Sequence, residues 1–355
     1  KPLPFDFTRA SSATVVNKAG LIETVGSGEP RIDFKDDAKG ALKLEPQRTN
    51  LVTYSEDFSN GDWNKESGNQ VINSNVETSP SNTLTADKLT VSSGSITTRK
   101  IWYQQSTTSG LEYTFSVYVK SVTGQVNTGF ISIAYLDANI NETSFTATDI
   151  WQRVVVTATA NSTTTRFLIT GDPNCQIYIW GAQLEESSYP TSYIPTQGSA
   201  VTRLADVCNN GGNEQVINST EGVLYVEMAA LANDGTAREI SINNGSIFNR
   251  VSIYYTASVI YAKWQGASGG VDLFHIVSEV TDFNKVALKY KSGGTALWIN
   301  GLEVDTSSSV NSTSGLNVLD FDRADANNKF YGNIKDVRVY NTALTDSELQ
   351  QLTTI

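Results

Sequence analysis

A single histidine, His275, stands in 355 residues. Zinc and other imidazole-ligated centres draw on several such side chains, so most of them are excluded, and only one imidazole base is left for catalysis. Two cysteines, Cys175 and Cys208, allow one disulfide at most and exclude a disulfide-dense scaffold; each reads as a free thiol. Basic residues are scarce, 26 against 37 acidic ones, giving a formal net charge of −11. Phosphate backbones are bound by releasing counterions onto Lys and Arg, so nucleic acid and anionic membrane surfaces are poor partners. No apolar run approaches the roughly 18 residues of a membrane span, which excludes membrane insertion by a helix. The opening Lys1-Pro2-Leu3-Pro4 lacks the apolar stretch of a signal peptide. Charged residues make up only 18% of the chain. Long helices normally carry Glu, Lys and Arg on their wet faces, so this shortage argues against an α-rich fold.

What is present is β-forming. Hydrophobic residues reach 39%, and 15 Tyr, 13 Phe and 6 Trp join a polar remainder of Ser, Thr, Asn and Gly. The length, above the roughly 100–200 residues of one domain, predicts two.

Residues 1–50 read as a leader of hairpins, with Ala13–Val16 and Leu21–Val25 around one turn and Arg31–Phe34 and Ala41–Leu44 around another. The leader is too small to fold alone and is expected to pack on the first domain, 51–207. There Thr114–Lys120 sets Phe115, Val117 and Val119 against Ser116, Tyr118 and Lys120, and Phe130–Leu136, Trp151–Ala158, Thr165–Thr170 and Gln176–Trp180 repeat the alternation. Residues 198–215, rich in Gly and Asn, read as a linker. The second domain, 208–355, repeats the pattern. Asn300-Gly301 predicts a tight hairpin, and Thr345-Asp346-Ser347-Glu348 predicts a capping box opening a short helix to Leu352. The expected fold is all-β, two tandem antiparallel jelly-roll sandwiches behind a β-hairpin leader.

A sugar-binding sheet needs aromatic rings facing solvent beside side-chain amides. Trp102-Tyr103-Gln104-Gln105, preceded by Arg99 and Lys100, supplies both, although adjacent strand residues point to opposite faces and one ring then belongs to the core. By alternation Tyr118, Tyr178 and Trp180 share an outer face. They either floor a shallow cleft or lie under the leader or a neighbouring subunit. In the second domain Tyr255, Tyr261 and Trp264 surround the loop 256–258 and form a second candidate platform, with half-buried strand aromatics as the plainer reading. Trp151 and Trp298 read as structural. The nearest approach to a paired-carboxylate hydrolase motif is Asp320-Phe321-Asp322-Arg323-Ala324-Asp325. It lacks the glutamates of such a motif and the Gly of a calcium loop, and His275 has no nucleophile near it in sequence, so no catalysis is expected. Asp320, Asp322 and Asp325 remain weak candidates for holding Ca2+.

Two resemblances add to this reading. Phe7-Thr8-Arg9-Ala10-Ser11-Ser12-Ala13-Thr14, Gly20-Leu21-Ile22, Glu29-Pro30-Arg31 and Gln47-Arg48-Thr49-Asn50-Leu51 resemble the leader of tailed-bacteriophage virion proteins, and Phe115–Lys120, Ile179–Glu185 and Ser188–Thr196 fit the same class. In that class the leader precedes a carbohydrate-binding-module-like jelly roll. Leu297-Trp298-Ile299-Asn300-Gly301, Tyr331–Tyr340 and Asn341–Leu349 resemble a laminin-G or concanavalin A-like lectin sandwich. The resemblance implies a virion protein of a tail fibre, spike or receptor-binding apparatus, trimeric, docking on a host cell-surface polysaccharide or glycan beside other virion proteins. Alternatives are a decoration protein binding other virion proteins, or a secreted accessory fragment of a polysaccharide-degrading enzyme. Jelly rolls of this kind often hold a structural Ca2+; Glu56 and Asp57 supply part of such a site, but Trp180-Gly181 stands where its acidic pair is usual.

Overall fold

The computed structural model describes residues 5–65, 68–122, 124–135 and 138–355; the opening Lys1–Pro4 and Leu136 of the Phe130–Leu136 run lie outside them. The described residues are dominated by antiparallel strands, with one α-helix, and no helix among them is long and apolar enough to cross a membrane. The chain divides into two compact units, each a β-sandwich: Ser11–Gly26 with Gln47–Leu204, and Lys1–Ala10 with Ser27–Pro46 and Ala205–Ile355.

The first unit stacks two five-stranded sheets. One runs Ala138–Ala147, Asn127–Tyr135, Thr164–Gly171, Lys100–Ser106, Trp63–Lys65; the other Gln152–Thr159, Glu112–Ser121, Gln176–Glu186, Ala86–Val91, Gln70–Glu77. Period-two alternation decides which side chains fill the space between them. Phe115, Val117 and Val119 are fully buried there with Ile131, Ile133, Phe167, Ile169, Ile177 and Ile179. A bulge opposite Ser116 and Tyr118 resets the phase of Gln176–Glu186. Gly181 sits at this bulge at φ +65°, and a side chain there would press Tyr118 and Tyr193 at 3.2 and 3.3 Å. Only glycine suits both the dihedral and the space.

The second unit packs a seven-stranded sheet, in the order Leu302–Ser307, Thr295–Ile299, Asn284–Lys291, Glu221–Ala230, Gly332–Tyr340, Ala41–Leu44, Ile32–Asp33, on a five-stranded one, Gly269–Ile276, Val259–Gly266, Arg250–Thr256, Arg238–Asn243, Val318–Asp320. Asn300 and Gly301 take φ of 52° and 85°, as the hairpin requires. Both halves of the capping box form. Glu348 N donates to Thr345 Oγ1 (3.4 Å), Thr345 N donates to Glu348 Oε2 (2.8 Å), and the helix spans Asp346–Thr353.

The leader departs from the expectation that it packs as one piece on the first domain. Ala13–Val16 and Ile22–Val25 pair as a hairpin in the first unit, anchored by Ile22 N donating to Pro80 O at 2.9 Å. Ala41–Leu44 instead pairs with Gly332–Ile334, covering what would be an open edge of the seven-stranded sheet. The stretch 198–215 is no slack linker either. Val201–Arg203 pairs with Arg48–Asn50, and Val207–Asn209 pairs with Asp6–Thr8.

Two arginines of the leader motifs, Arg9 and Arg31, are structural. In the second unit Arg9 Nη1 lies 3.0 Å from Asp206 Oδ1, Arg31 bonds both Asp206 and Glu45 (2.7 Å to Glu45 Oε2), and Glu45 N donates to Asp206 Oδ2 at 2.8 Å. All four side chains are 0–3% exposed. Charges so placed hold their geometry only as a set, because each is desolvated and needs its partners.

Candidate functional site

The strand Lys100–Ser106 sorts the first predicted cluster into two faces. Ile101 and Tyr103 point into the core, Tyr103 donating its hydroxyl to Leu51 O at 3.0 Å and lying 5.6 Å from the Trp63 ring. Trp102 and Gln104 point outward, Trp102 half-buried and Gln104 exposed. Register places Asn64 on one side of Trp102 and Leu168 on the other. The Arg166 guanidinium lies 5.1 Å from the indole centroid and the Lys100 ammonium 5.8 Å. Arg99 is not on this face; it is buried and donates to Gly171 O at 2.7 Å. This outer face thus holds one indole, two exposed amides, a guanidinium and, one row on, the half-buried ring of Phe130, around a buried centre of Leu168, Thr170 and Ser132. Asn64, Arg166 and Phe130 are invisible to local sequence reading, because only cross-strand register brings them beside Trp102.

Tyr118, Tyr178 and Trp180 do not form a platform, and here the structure corrects the first of the two sequence readings. Trp180 is 1% exposed, packed with Ile22 of the leader hairpin, Ala86 and Tyr193. Its ring centroid is 4.5 Å from that of Tyr193 and 5.5 Å from that of Tyr118, and its Nε1 donates to Thr85 Oγ1 at 3.0 Å. A ligand cannot reach this indole while the hairpin is in place. Tyr178 stays half-buried with the Lys120 ammonium 6.0 Å from its ring. Trp151, expected in the core, is half-buried against the same cluster.

The second predicted trio is also divided. Tyr255 and Trp264 are core residues, Tyr255 donating to Tyr331 O (2.7 Å) and Trp264 Nε1 to Thr313 Oγ1 (3.0 Å). Tyr261 faces outward in a row with Tyr254 and Phe274, at centroid distances of 4.7 and 6.0 Å. Tyr254 and Tyr261 are nearly parallel, 5° apart. One face of each is therefore occupied by the other. The alternation of Val251, Ile253 and Tyr255 against Ser252 and Tyr254 already turns Tyr255 inward and Tyr254 outward.

The candidate carboxylates are engaged by protein donors. Asp57 Oδ1 accepts from Ser59 N (3.0 Å) and Oγ (2.6 Å), and Glu56 Oε1 accepts from the Tyr193 hydroxyl at 2.9 Å. Asp320 accepts from Asn210 N (2.8 Å) and Asn243 Nδ2 (2.9 Å), Asp322 from Asn209 Nδ2 (2.9 Å), and Asp325 pairs with Arg323. No three His, Cys, Asp or Glu among the described residues are grouped to hold a metal ion. His275 is exposed on the edge strand Gly269–Ile276.

Glu56 and Asp57 line a cleft of about 580 Å³ with Tyr54, Asn75, Thr85 and Gln197. Nearby Asp87, fully buried, accepts from Phe58 N and Asn75 N (both 2.9 Å), yet burial pushes its pKa up to about 6. A carboxyl whose folded pKa lies above its unfolded value of about 3.9 favours the folded state more as pH falls from 6 towards 4. In the second unit Asp234 is held below the usual range by Arg238, as Asp325 is by Arg323, and such groups lose their contribution in acid. Titration from pH 7 to 4, followed by unit-resolved amide exchange, should therefore strengthen the first unit through Asp87, while Asp234 and Asp325 give up their contribution only below about pH 4. Asp87→Asn should remove the first unit's gain, and an unchanged profile in that variant would refute the assignment.

The sandwich geometry of the second unit is lectin-like. Residues 218–350 match the laminin G 3 family model, described as the concanavalin A-like lectin/glucanases superfamily. Among solved structures the chain is similar to a leech intramolecular trans-sialidase (23% identity, covering 39% of this chain and 24% of that one, TM-score 0.33). It is also similar to domain 4 of a Geobacillus stearothermophilus arabinanase bound to arabinotriose (14%, 48% and 84%, 0.35). A third is the N-terminal CBM22-1–CBM22-2 tandem domain from Paenibacillus barcinonensis Xyn10C (9%, 84% and 100%, 0.31). This chain spans about a quarter of the length of the leech enzyme. No curated protein matches it.

Proposed function

We infer that the chain is a non-enzymatic adhesion protein that binds host-surface glycan on the Trp102 face of its first sandwich. The observation that carries this is one partly exposed indole set in register with Asn64 and beside Gln104, on the outer face of its sheet. An indole face takes the C–H side of a pyranose, and amides read its hydroxyls as both donor and acceptor. The lectin-like sandwich that follows supports the same class of work. The resemblance of the leader motifs supports placing the chain in a bacteriophage virion, as a trimeric part of a tail fibre or receptor-binding apparatus beside other virion proteins. The test is retention of the full chain on host polysaccharide, with its mass in solution equal to three chains. Failure on every glycan, with binding to virion proteins instead, would favour a decoration role.

A further inference from the structure

We propose that the second sandwich carries a separate saccharide site, for a neutral, hydroxyl-rich ring, in the cleft beside its C-terminal helix. The helix Asp346–Thr353 does not cover the whole outer face of the seven-stranded sheet. Leu349, fully buried, seats it on Val223, Ala287, Ala296 and Trp298. Beside that contact the sheet is open, leaving a cleft of about 480 Å³ whose floor is sheet and whose wall is helix. That volume is in the range of roughly 300–1,000 Å³ typical of small-ligand sites.

The floor is preorganised. Arg338 lies opposite Tyr225 in register, its guanidinium 5.7 Å from that ring, and Asp336 holds it through Nε at 2.8 Å. Lys285, paired with Glu227 in register, is pinned by donating to Thr354 O at 2.7 Å. Tyr340, Leu344 and Leu352 give an apolar side, and the exposed amide of Gln351 stands on the helix wall.

The charges of the cleft choose the ligand class. Three carboxylates, Glu227, Asp336 and Glu348 (the last also capping the helix), line it together with two cations, Lys285 and Arg338. An anion brought here meets the carboxylates, and a cation meets Arg338 and Lys285. Neutral hydroxyls, each both donor and acceptor, are satisfied by both sets, and charge-assisted bonds of this kind are the stronger ones. None of these residues belongs to the Trp102 face, so the proposal stands or falls separately from the function proposed above.

Saturation-transfer NMR and calorimetry on the full chain decide it, using a panel of neutral oligosaccharides with uronic-acid and amino-sugar counterparts. A neutral member should bind. Arg338→Ala and Glu227→Gln should each weaken that binding about tenfold or more, while Trp102→Ala leaves it within about twofold. If Arg338→Ala lowers the melting temperature, Arg338→Lys keeps the charge without the planar fork and should still bind weakly. Binding confined to charged sugars, binding indifferent to both cleft variants, binding lost in Trp102→Ala, or no binding by any panel member would each overturn the proposal.

Discussion

Replacing Asp206 by asparagine is expected to destabilise the second unit by about 3–5 kcal/mol, the cost of breaking a buried ion pair from one side. Asp206 is the shared acceptor of Arg9, Arg31 and the Glu45 backbone N–H. Its loss removes the carboxylate that two guanidinia share, both fully buried as side chains. The Glu45 and Asp206 carboxylates, by attraction and hydrogen bonding, hold the Arg31 pKa above its ordinary value, so the guanidinium cannot escape by deprotonation. For a unit of this size a loss of that order lowers the melting transition by roughly 10 °C. Because Arg9 and Arg31 belong to the leader, residues 5–10 and 27–46 should also become open to protease in the variant. An unchanged second-unit transition would show that the network is not what fastens these segments.

Trp180→Ala is expected to act on stability and not directly on ligand. Truncating a buried Trp costs about 3–5 kcal/mol, and here it also removes the partner of Thr85 Oγ1 and the packing under the leader hairpin. The first-unit melting transition should fall accordingly, and exchange of the Ala13–Val25 amides should rise with it. Intact melting together with abolished glycan binding would mean that the hairpin lifts and that the covered face is the platform after all.

The contrast between Trp180 and Trp102 shows how far the sequence can be read. Alternation is local, so it correctly turned Phe115, Val117 and Val119 inward and set Trp180 on the opposite face from Ile177 and Ile179. Whether an outer face is wet depends on what packs over it. Ile22, more than 150 positions away, covers Trp180, and no period in either strand records that contact. The same limit hid the division of the leader, since Ala41–Leu44 has the pattern of any edge strand until Gly332–Ile334 offers it a partner. Where the signal is contained in four residues it was complete, as at Thr345–Glu348. The phase of the Tyr254-Tyr255 pair follows the Val251, Ile253, Tyr255 alternation: Tyr255 packs against Phe330, and Tyr254 stacks on Tyr261.

The most direct test of the glycan-binding claim is a binding isotherm of Trp102→Ala on host polysaccharide, taken with its melting curve. Trp102 is half-buried and outside the core cluster, so the melting temperature should move little. A central stacking ring contributes about 2 kcal/mol or more to affinity, so binding should weaken some thirtyfold or beyond. A variant that melts as the parent and binds as the parent would contradict the account.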